Sequence, residues 1–390
     1  MDALKSNAFV GLFILLSTIY GNAQHQTKRP FRDLSKDSIG VSIPFYSGLK
    51  AYHAFRIPTI IKSNTALIAF AEGRKNSTSD FGDIDLTYRR SLNNGATWEE
   101  LKILYDLDTL AVQNPVPIYV ASENKIVLLF NTTSLSEHDV LHTDYPKNRE
   151  RKAYLTMSTD DGLTWRSPKE ITQQVKRNHW RWHAIGPVHG IELKHESSRG
   201  RLVAPVAISI EKGNEAYCMA LIYSDDQGEN WNIGAVDTNL TDAVRSNETT
   251  IVELTDGRIY VNTRDHLGGS KLKNRGETYS VDGGLSFTKP IIESDNFPSP
   301  IVQSALLRWA EERKEGENSI LFSTPSDREK RVDLMIMVSY DESESWTPFI
   351  KVHDGHSAYS DMVKLDKTTL GVIYETDDYQ KIRFRSIKMD

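Results

Sequence analysis

SLNNGATW (91–98), STDDGLTW (158–165), SDDQGENW (224–231), SVDGGLSF (280–287) and SYDESESW (339–346) are five copies of one pattern, Ser-x-Asp-x-Gly-x-Thr-Trp. Their starts, at Ser91, Ser158, Ser224, Ser280 and Ser339, lie 67, 66, 56 and 59 residues apart. An array of units this size, each large enough for one small antiparallel sheet, reads as a β-propeller. The acid of each copy is expected to accept hydrogen bonds from main-chain amides two or three residues on, and the glycine to supply a positive φ. The closing aromatic is expected to cap the sheet below it. Asn93 replaces the acid in the first copy and Ser343 the glycine in the last, where φ > 0 costs more. Such turns stabilise a fold and do not specify a chemistry.

Alternating apolar runs, among them TALIAFAE, KIVLLFN, RLVAPVAI, RIYVNTR, DLMIMVS and TLGVIYE, recur between the turns as β-strands do. No amphipathic helix of normal length stands out; ALLRWAEERKEG (305–316) reads as a hairpin with a charged tip. The 337 residues from Ala51 to Ile387, at about sixty per unit, imply six blades. The expected architecture is all-β, a six-bladed β-propeller over 51–390, preceded by a lead-in over 24–50 that closes the ring.

The first 23 residues read as a signal peptide: Lys5, an apolar run from Ala8 to Ile19, then small Gly21 and Ala23. That run is shorter than the 20 or so residues a membrane crossing takes, so the mature chain is expected to be secreted or periplasmic, with no integral membrane segment. Cys218 is the single cysteine and lies far from the leader, which excludes lipidation there and any intrachain disulfide. Net charge is −6, against a nucleic-acid partner. His179, His183 and His189 crowd one segment, but glycine and proline break it and no cysteine or paired carboxylate joins them. No metal or other cofactor is expected. Sequons stand at Asn76, Asn131, Asn239 and Asn247.

Strand ends of a propeller converge on one face, so polar residues distant in sequence can meet there. Arg56, set among apolar residues in AFRIP, is expensive unless an anion or carboxylate compensates it. Arg74 after AFAEG, Arg264 ending YVNTR and Arg331 opening RVDLMIMV are similarly placed. FRIP, AEGR followed by SDFGDIDLTYRRS, NETTIVELTDGRIYVNTR, REKRVDL, SAYSDM and IYETDD occur in that order among the repeats. Together they resemble the exo-α-sialidase family over nearly all of the mature chain.

That resemblance implies a hydrolase removing terminal sialic acids from glycoconjugates. It maps a three-arginine clamp for the substrate carboxylate to Arg56, Arg264 and Arg331, places Arg74 on the hydroxyl side of the sugar, and lets Glu375 brace Arg56. Guanidinium forks suit a carboxylate because they pair with it in two charge-assisted bonds. The same carboxylate repels an anionic nucleophile; sialidases use tyrosine instead. Tyr359 is then the nucleophile and Glu248 its base, with Glu253 the competing acid on that stretch. Asp80 is the general acid, chosen over Asp83 and Asp85, and its role needs a protonated carboxyl that desolvation by the bound substrate would favour. A transferase on the same residues and a non-catalytic sugar-binding propeller are the rival readings. Trp180, Arg181 and Trp182 remain open between core and site, and the chain is expected to act as a monomer.

Overall fold

Four-stranded antiparallel sheets repeat along the computed structural model, which describes residues 30–146, 149–213, 216–238, 244–270, 273–310 and 318–389. The leader expected over 1–23 and the sequon at Asn239 lie outside the described residues. The first sheet runs in chain order through Ala54–Lys62, Leu67–Arg74, Ile84–Ser91 and Lys102–Tyr105. The second repeats this with Ala111–Val120, Lys125–Thr133, Lys152–Ser158 and Lys169–Glu170. In the third, His183–Ile185 and Ile191–Glu192 share one partner, Leu202–Ser209, followed by Tyr217–Ser224 and Asn232–Asp237. The fourth holds Ser246–Glu253, Ile259–Asp265, Arg275–Ser280 and Ile292–Glu293.

The long strand Thr347–Lys364 serves two sheets. Its first half pairs with Val332–Ser339, completing a fifth sheet with Ala305–Ala310 and Ser319–Pro325. Its second half opens a sixth with Thr369–Thr376 and Lys381–Lys388. The outer strand of that last sheet is Val41–Tyr46, so sheet structure begins ahead of residue 51 and joins the two ends of the chain. The first strands of successive sheets touch one another, and the last touches Ala54–Lys62 again. This is a closed β-propeller. Its core fills the gaps between sheets: Val116, Leu129 and Leu155 of the second meet Val206, Ala220 and Ile222 of the third. Each such Val, Leu or Ile side chain stabilises by about 1.5–3 kcal/mol through area removed from water.

The five turns lie between the third and fourth strands of the first five sheets. The sixth sheet has none because its fourth strand comes from the other end of the chain. Within the turns the acid accepts from the amide four residues on, Thr164, Asn230, Ser286 and Ser345 all donating at 2.9 Å, and Asp282 also accepts from the Leu285 amide three residues on at 2.9 Å. The opening serine supplies the other link, taking the amide at the glycine position at 2.8–3.0 Å and donating to the acid. Asn93 keeps this geometry with its carbonyl oxygen, accepting from Thr97 at 2.9 Å and donating to its hydroxyl at 2.8 Å. Ser343 holds a φ of 75° without a glycine.

The closing rings pack on their own sheets, as Trp231 does on the third and Trp346 on Phe322 of the fifth at 5.9 Å, and also reach across to the neighbouring ones. Trp98 meets Phe384 of the sixth sheet at 5.6 Å, Trp165 meets Phe70 and Tyr88 of the first at 5.8 Å, and Trp346 meets Tyr260 of the fourth at 6.3 Å. ALLRWAEERKEG begins with the strand Ala305–Ala310, paired to Ser319–Pro325; its tip, 311–317, lies outside the described residues. Two short helices interrupt the sheets, Glu137–His142 and Thr172–Val175. The first starts at a capping box, with the Ser136 side chain on the Asp139 amide and Asp139 returning to Ser136.

Candidate active site

Third strands end at the repeated turns, so the starts of first strands and the ends of second strands gather at the opposite end of the ring. Arg56 and Glu248 lie near the starts of first strands, Arg74, Arg264 and Glu375 near the ends of second strands, and Arg331 just ahead of a third. Tyr359 lies where Thr347–Lys364 enters the sixth sheet, and Asp80 in the loop between Leu67–Arg74 and Ile84–Ser91.

Two carboxylates hold this end together. Glu375, fully buried, accepts from Arg56 Nε at 2.7 Å, from the Ile57 amide at 2.8 Å and from the Tyr359 amide at 3.2 Å. It thus ties the first sheet to the sixth where the backbone ladder of Ala54–Lys62 breaks register between Arg56 and Thr59. Ile57 is held at a φ of 57°, an unusual conformation for a β-branched residue that costs about 1–3 kcal/mol. Burial pulls the Arg56 guanidinium down, but Glu375 outweighs it and the group stays firmly charged. Asp361 repeats the device two residues beyond Tyr359, accepting from the Ile60 amide at 3.1 Å and pairing with His189 at 2.6 Å.

Around Tyr359 the arginines converge. Its hydroxyl donates to Glu248 Oε1, while Arg264 Nη1 reaches Glu248 Oε2 at 2.7 Å and the Tyr359 oxygen at 3.2 Å. The guanidinium carbons of Arg56 and Arg331 lie 5.4 and 5.6 Å from the Tyr359 ring. Burial and the Glu248 carboxylate push the phenol up, against the pull of Arg264, Arg331 and Arg56. The ring is therefore a neutral hydroxyl with a base already on its proton. Gln303 fixes the next residue, bonding both the amide and the carbonyl of Ser360 at 3.0 Å.

Asp80 stands across the cleft, its side chain 62% exposed, with Arg74 Nη2 at 2.6 Å. Arg74 is buried, shares that nitrogen with Glu72 at 2.7 Å and also donates to the Thr78 carbonyl. Desolvation raises the Asp80 carboxyl, yet Arg74, Arg56 and Arg331 outweigh it and hold it below the ordinary aspartate range. In the open site Asp80 is ionised. Desolvation in the unliganded cleft is thus not enough to keep this carboxyl protonated.

The competing acids are committed elsewhere. Glu253 accepts from the Lys194 and His195 amides at 2.7 and 3.0 Å, at the other end of the strand that carries Glu248. Asp85 lies inside Ile84–Ser91 and takes the Tyr52 hydroxyl; with Asp83 and Asp106 it surrounds Lys75 Nζ at 2.8–3.4 Å. Those three carboxylates have the spacing of a cation site, and the Lys75 ammonium sits among them. The three histidines disperse: His179 is exposed, His189 pairs with Asp361, and burial pushes His183 down to about 3 as a core imidazole bonded to the Val175 carbonyl. Trp180 belongs to the core, whereas Trp182 lines the cleft with Phe81 and Ala184. Arg181 turns away, donating to the Val140 carbonyl at 2.9 Å. Asn131 is buried with its amide on two carbonyls, and Asn247 is bonded to His266 at 2.8 Å, so neither presents a free acceptor for a glycan.

Sequence reasoning passed over several cleft residues. Gln113 donates to the Asp80 carbonyl and accepts from Arg151 at 2.9 Å, and Arg151 stacks on Trp182 at 4.3 Å. Burial pushes Arg151 down to about 10, which leaves it charged at neutral pH. Glu137 reaches the cleft from the first turn of its helix and takes the Tyr217 hydroxyl; the capping box at Ser136 was the signal for that helix. Tyr379 lies against both Arg56 and Arg331. A row of acidic and polar residues in the TDDY stretch gave no sign of it.

Residues 65–372 match the family described as BNR repeat-like domain. An exo-alpha-sialidase of Aspergillus fumigatus is 30% identical over 357 residues, 84% of this chain and 79% of that protein. Among solved structures, a Hadza microbial sialidase superposes with a TM-score of 0.75 at 25% identity, over 88% of this chain and 67% of that one. An intramolecular trans-sialidase from Ruminococcus gnavus, in complex with oseltamivir carboxylate, gives 0.76 at 16% identity, over 90% and 98%. The last is a likeness of fold alone.

Proposed function

The chain belongs to the sialidase family with BNR repeats, and from that premise we propose that it is an exo-α-sialidase acting by retention through Tyr359. The observation that carries the mechanism is the contact of the Tyr359 hydroxyl with Glu248 beneath three guanidiniums. In this reading Arg56, Arg264 and Arg331 take the carboxylate that sialic acid carries on its anomeric carbon. Arg74 faces the sugar hydroxyls, and Glu375 keeps Arg56 in place.

Glycosyl transfer then runs in two steps. Tyr359 oxygen attacks the anomeric carbon as Glu248 takes its proton, and Asp80 gives a proton to the departing glycosidic oxygen. Water, deprotonated by Asp80, next displaces the tyrosyl oxygen, which recovers its proton from Glu248. Each group returns to its starting state and two inversions give net retention. A neutral nucleophile avoids setting one anion against another, and Glu248 is the carboxylate in contact with its proton. A substrate carboxylate on Arg56 and Arg331 weakens the part of the field that those two arginines exert on Asp80, and the sugar adds desolvation; both raise the acid, while Arg74 remains paired with it.

Release of methylumbelliferone from its sialoside by wild type and Tyr359→Phe tests the assignment: turnover by wild type and its loss in the variant are expected, and equal rates would overturn it. The transfer reading is tested in the same samples, since free sialic acid as sole product in the presence of a galactoside acceptor excludes it. The leader over 1–23 supports export, which fits a substrate on extracellular glycoconjugates.

A further inference from the structure

Arg331 differs from its two companions. Arg56 pairs with Glu375 and Arg264 with Glu248, each at 2.7 Å, whereas among the described residues Arg331 has no carboxylate partner. Its guanidinium is held by two neutral oxygens, the Ile301 carbonyl at 2.9 Å and the Tyr379 hydroxyl at 3.2 Å. Tyr379 also meets the second clamp arginine: the Arg56 guanidinium carbon lies 4.0 Å from the centre of its ring, closer than to Tyr359 at 5.4 Å. One side chain thus touches Arg56 with its face and Arg331 with its oxygen.

The backbone aims it there. Asp377, Asp378 and Tyr379 take φ values of 54°, 49° and 66°, three consecutive left-handed residues without a glycine. Such strain persists only where surroundings over-determine it. Here Asp377 is tied to Lys381 at 2.9 Å and Arg383 at 3.0 Å, the Asp378 amide donates to His356 Nδ1 at 3.2 Å, and the His356 ring meets Tyr379 edge-on at 4.6 Å.

We propose that Tyr379 is a positioning residue that presets the Arg56 and Arg331 forks for the substrate carboxylate. This rests on the sialidase reading of the clamp. A stacked guanidinium retains its plane, and a hydrogen-bonded one its rotamer, so less freedom is lost when the anion arrives. Stacking fixes Arg56, and the hydroxyl fixes the fork that no carboxylate holds. Tyr379 packs against the apolar cluster that includes Tyr359, but its hydroxyl and ring face engage the clamp arginines, so the contribution is to carboxylate binding.

The two contacts separate by substitution. Tyr379→Phe keeps the stacked ring and removes the acceptor for Arg331; Tyr379→Leu removes both. KM and kcat on the methylumbelliferyl sialoside, and calorimetric Kd for the carboxylate inhibitor 2-deoxy-2,3-dehydro-N-acetylneuraminic acid, are measured for both variants with melting temperature as the folding control. The expected result is a rise of about 5-fold in KM and in inhibitor Kd for Tyr379→Phe and about 50-fold for Tyr379→Leu, with kcat for Tyr379→Phe within twofold of wild type. KM and Kd unchanged in both variants, or a loss confined to kcat, overturns the proposal while leaving the sialidase reading intact. A wild-type protein that releases no sialic acid breaks that reading first and this proposal with it.

Discussion

The two ends of the propeller are built from the same strands and solve opposite problems. At one end, five turns repeat the same bonds within eight residues: serine to acid, acid to the amide four residues on, serine to the amide at the glycine position. At the other, single buried carboxylates bridge different sheets, and charges are gathered that no local turn pairs off. The serine–acid–amide bonds of each turn share no group with those of the other turns, so loss of any one leaves the others whole. The site is neither. Its groups come from the first, fourth, fifth and sixth sheets and share partners, so each substitution there disturbs several others.

The largest effects should follow from breaking the site without touching the fold. Glu248→Gln leaves the Tyr359 phenol without a base, and Asp80→Asn removes the acid; each is expected to lower kcat/KM for the sialoside by about 10²–10⁴-fold with melting temperature unchanged. A loss below tenfold in both would erase the distinction between the two ends. Glu375→Ala should damage both fold and site, since it strands buried Arg56 and frees two amides. Urea unfolding should show a loss of about 3–5 kcal/mol, and residual activity should be small.

Acidification separates the ends in a different way. The free enzyme holds Asp80 below the ordinary aspartate range, and a carboxylate ligand should raise it. The basic limb assigned to Asp80 should therefore lie at higher pH in the profile of kcat than in that of kcat/KM, and disappear in Asp80→Asn. At the other end the turn acids Asp160, Asp226, Asp282 and Asp341 are also depressed, because their hydrogen bonds outweigh desolvation. A depressed acid stabilises the fold above its unfolded value and loses that stabilisation as pH falls through its folded value. Stability should therefore decline below about pH 4, and less so in a variant carrying Asn at these four positions.

The smallest effects belong to single turns. Asp160→Ala is expected to cost about 1 kcal/mol in urea unfolding with kcat/KM unchanged. Ser343→Gly relieves a φ of 75° and should gain up to about 1 kcal/mol, less what the Tyr279 contact to Ser343 contributes.

The turns made the propeller legible because their repeat is local and their spacing is the size of one sheet. They number one fewer than the sheets because Val41–Tyr46 closes the ring from the far end of the chain, and such a pairing leaves no turn to read. The site was legible where apolar strands ended in charge, as at Arg56, Arg74, Arg264 and Arg331. Gln113 escaped as one neutral residue within the strand Ala111–Val120, Arg151 as a lone charge just ahead of Lys152–Ser158, and Glu137 because its helix is six residues long. Tyr379 escaped because a left-handed run of three non-glycine residues has no compositional mark. Asp80 was found by its motif, but its ionisation depends on the summed field of three arginines from two sheets, which no local pattern contains.

The central claim is that Tyr359 carries the sugar between the two chemical steps. Incubation of the wild-type protein with a 2,3-difluorinated sialic acid, followed by proteolysis and mass spectrometry, tests it most directly. A sialosyl adduct on the peptide containing Tyr359, absent in Tyr359→Phe, is the predicted result; an adduct on Glu248 or Asp80, or full activity in Tyr359→Phe, would contradict it.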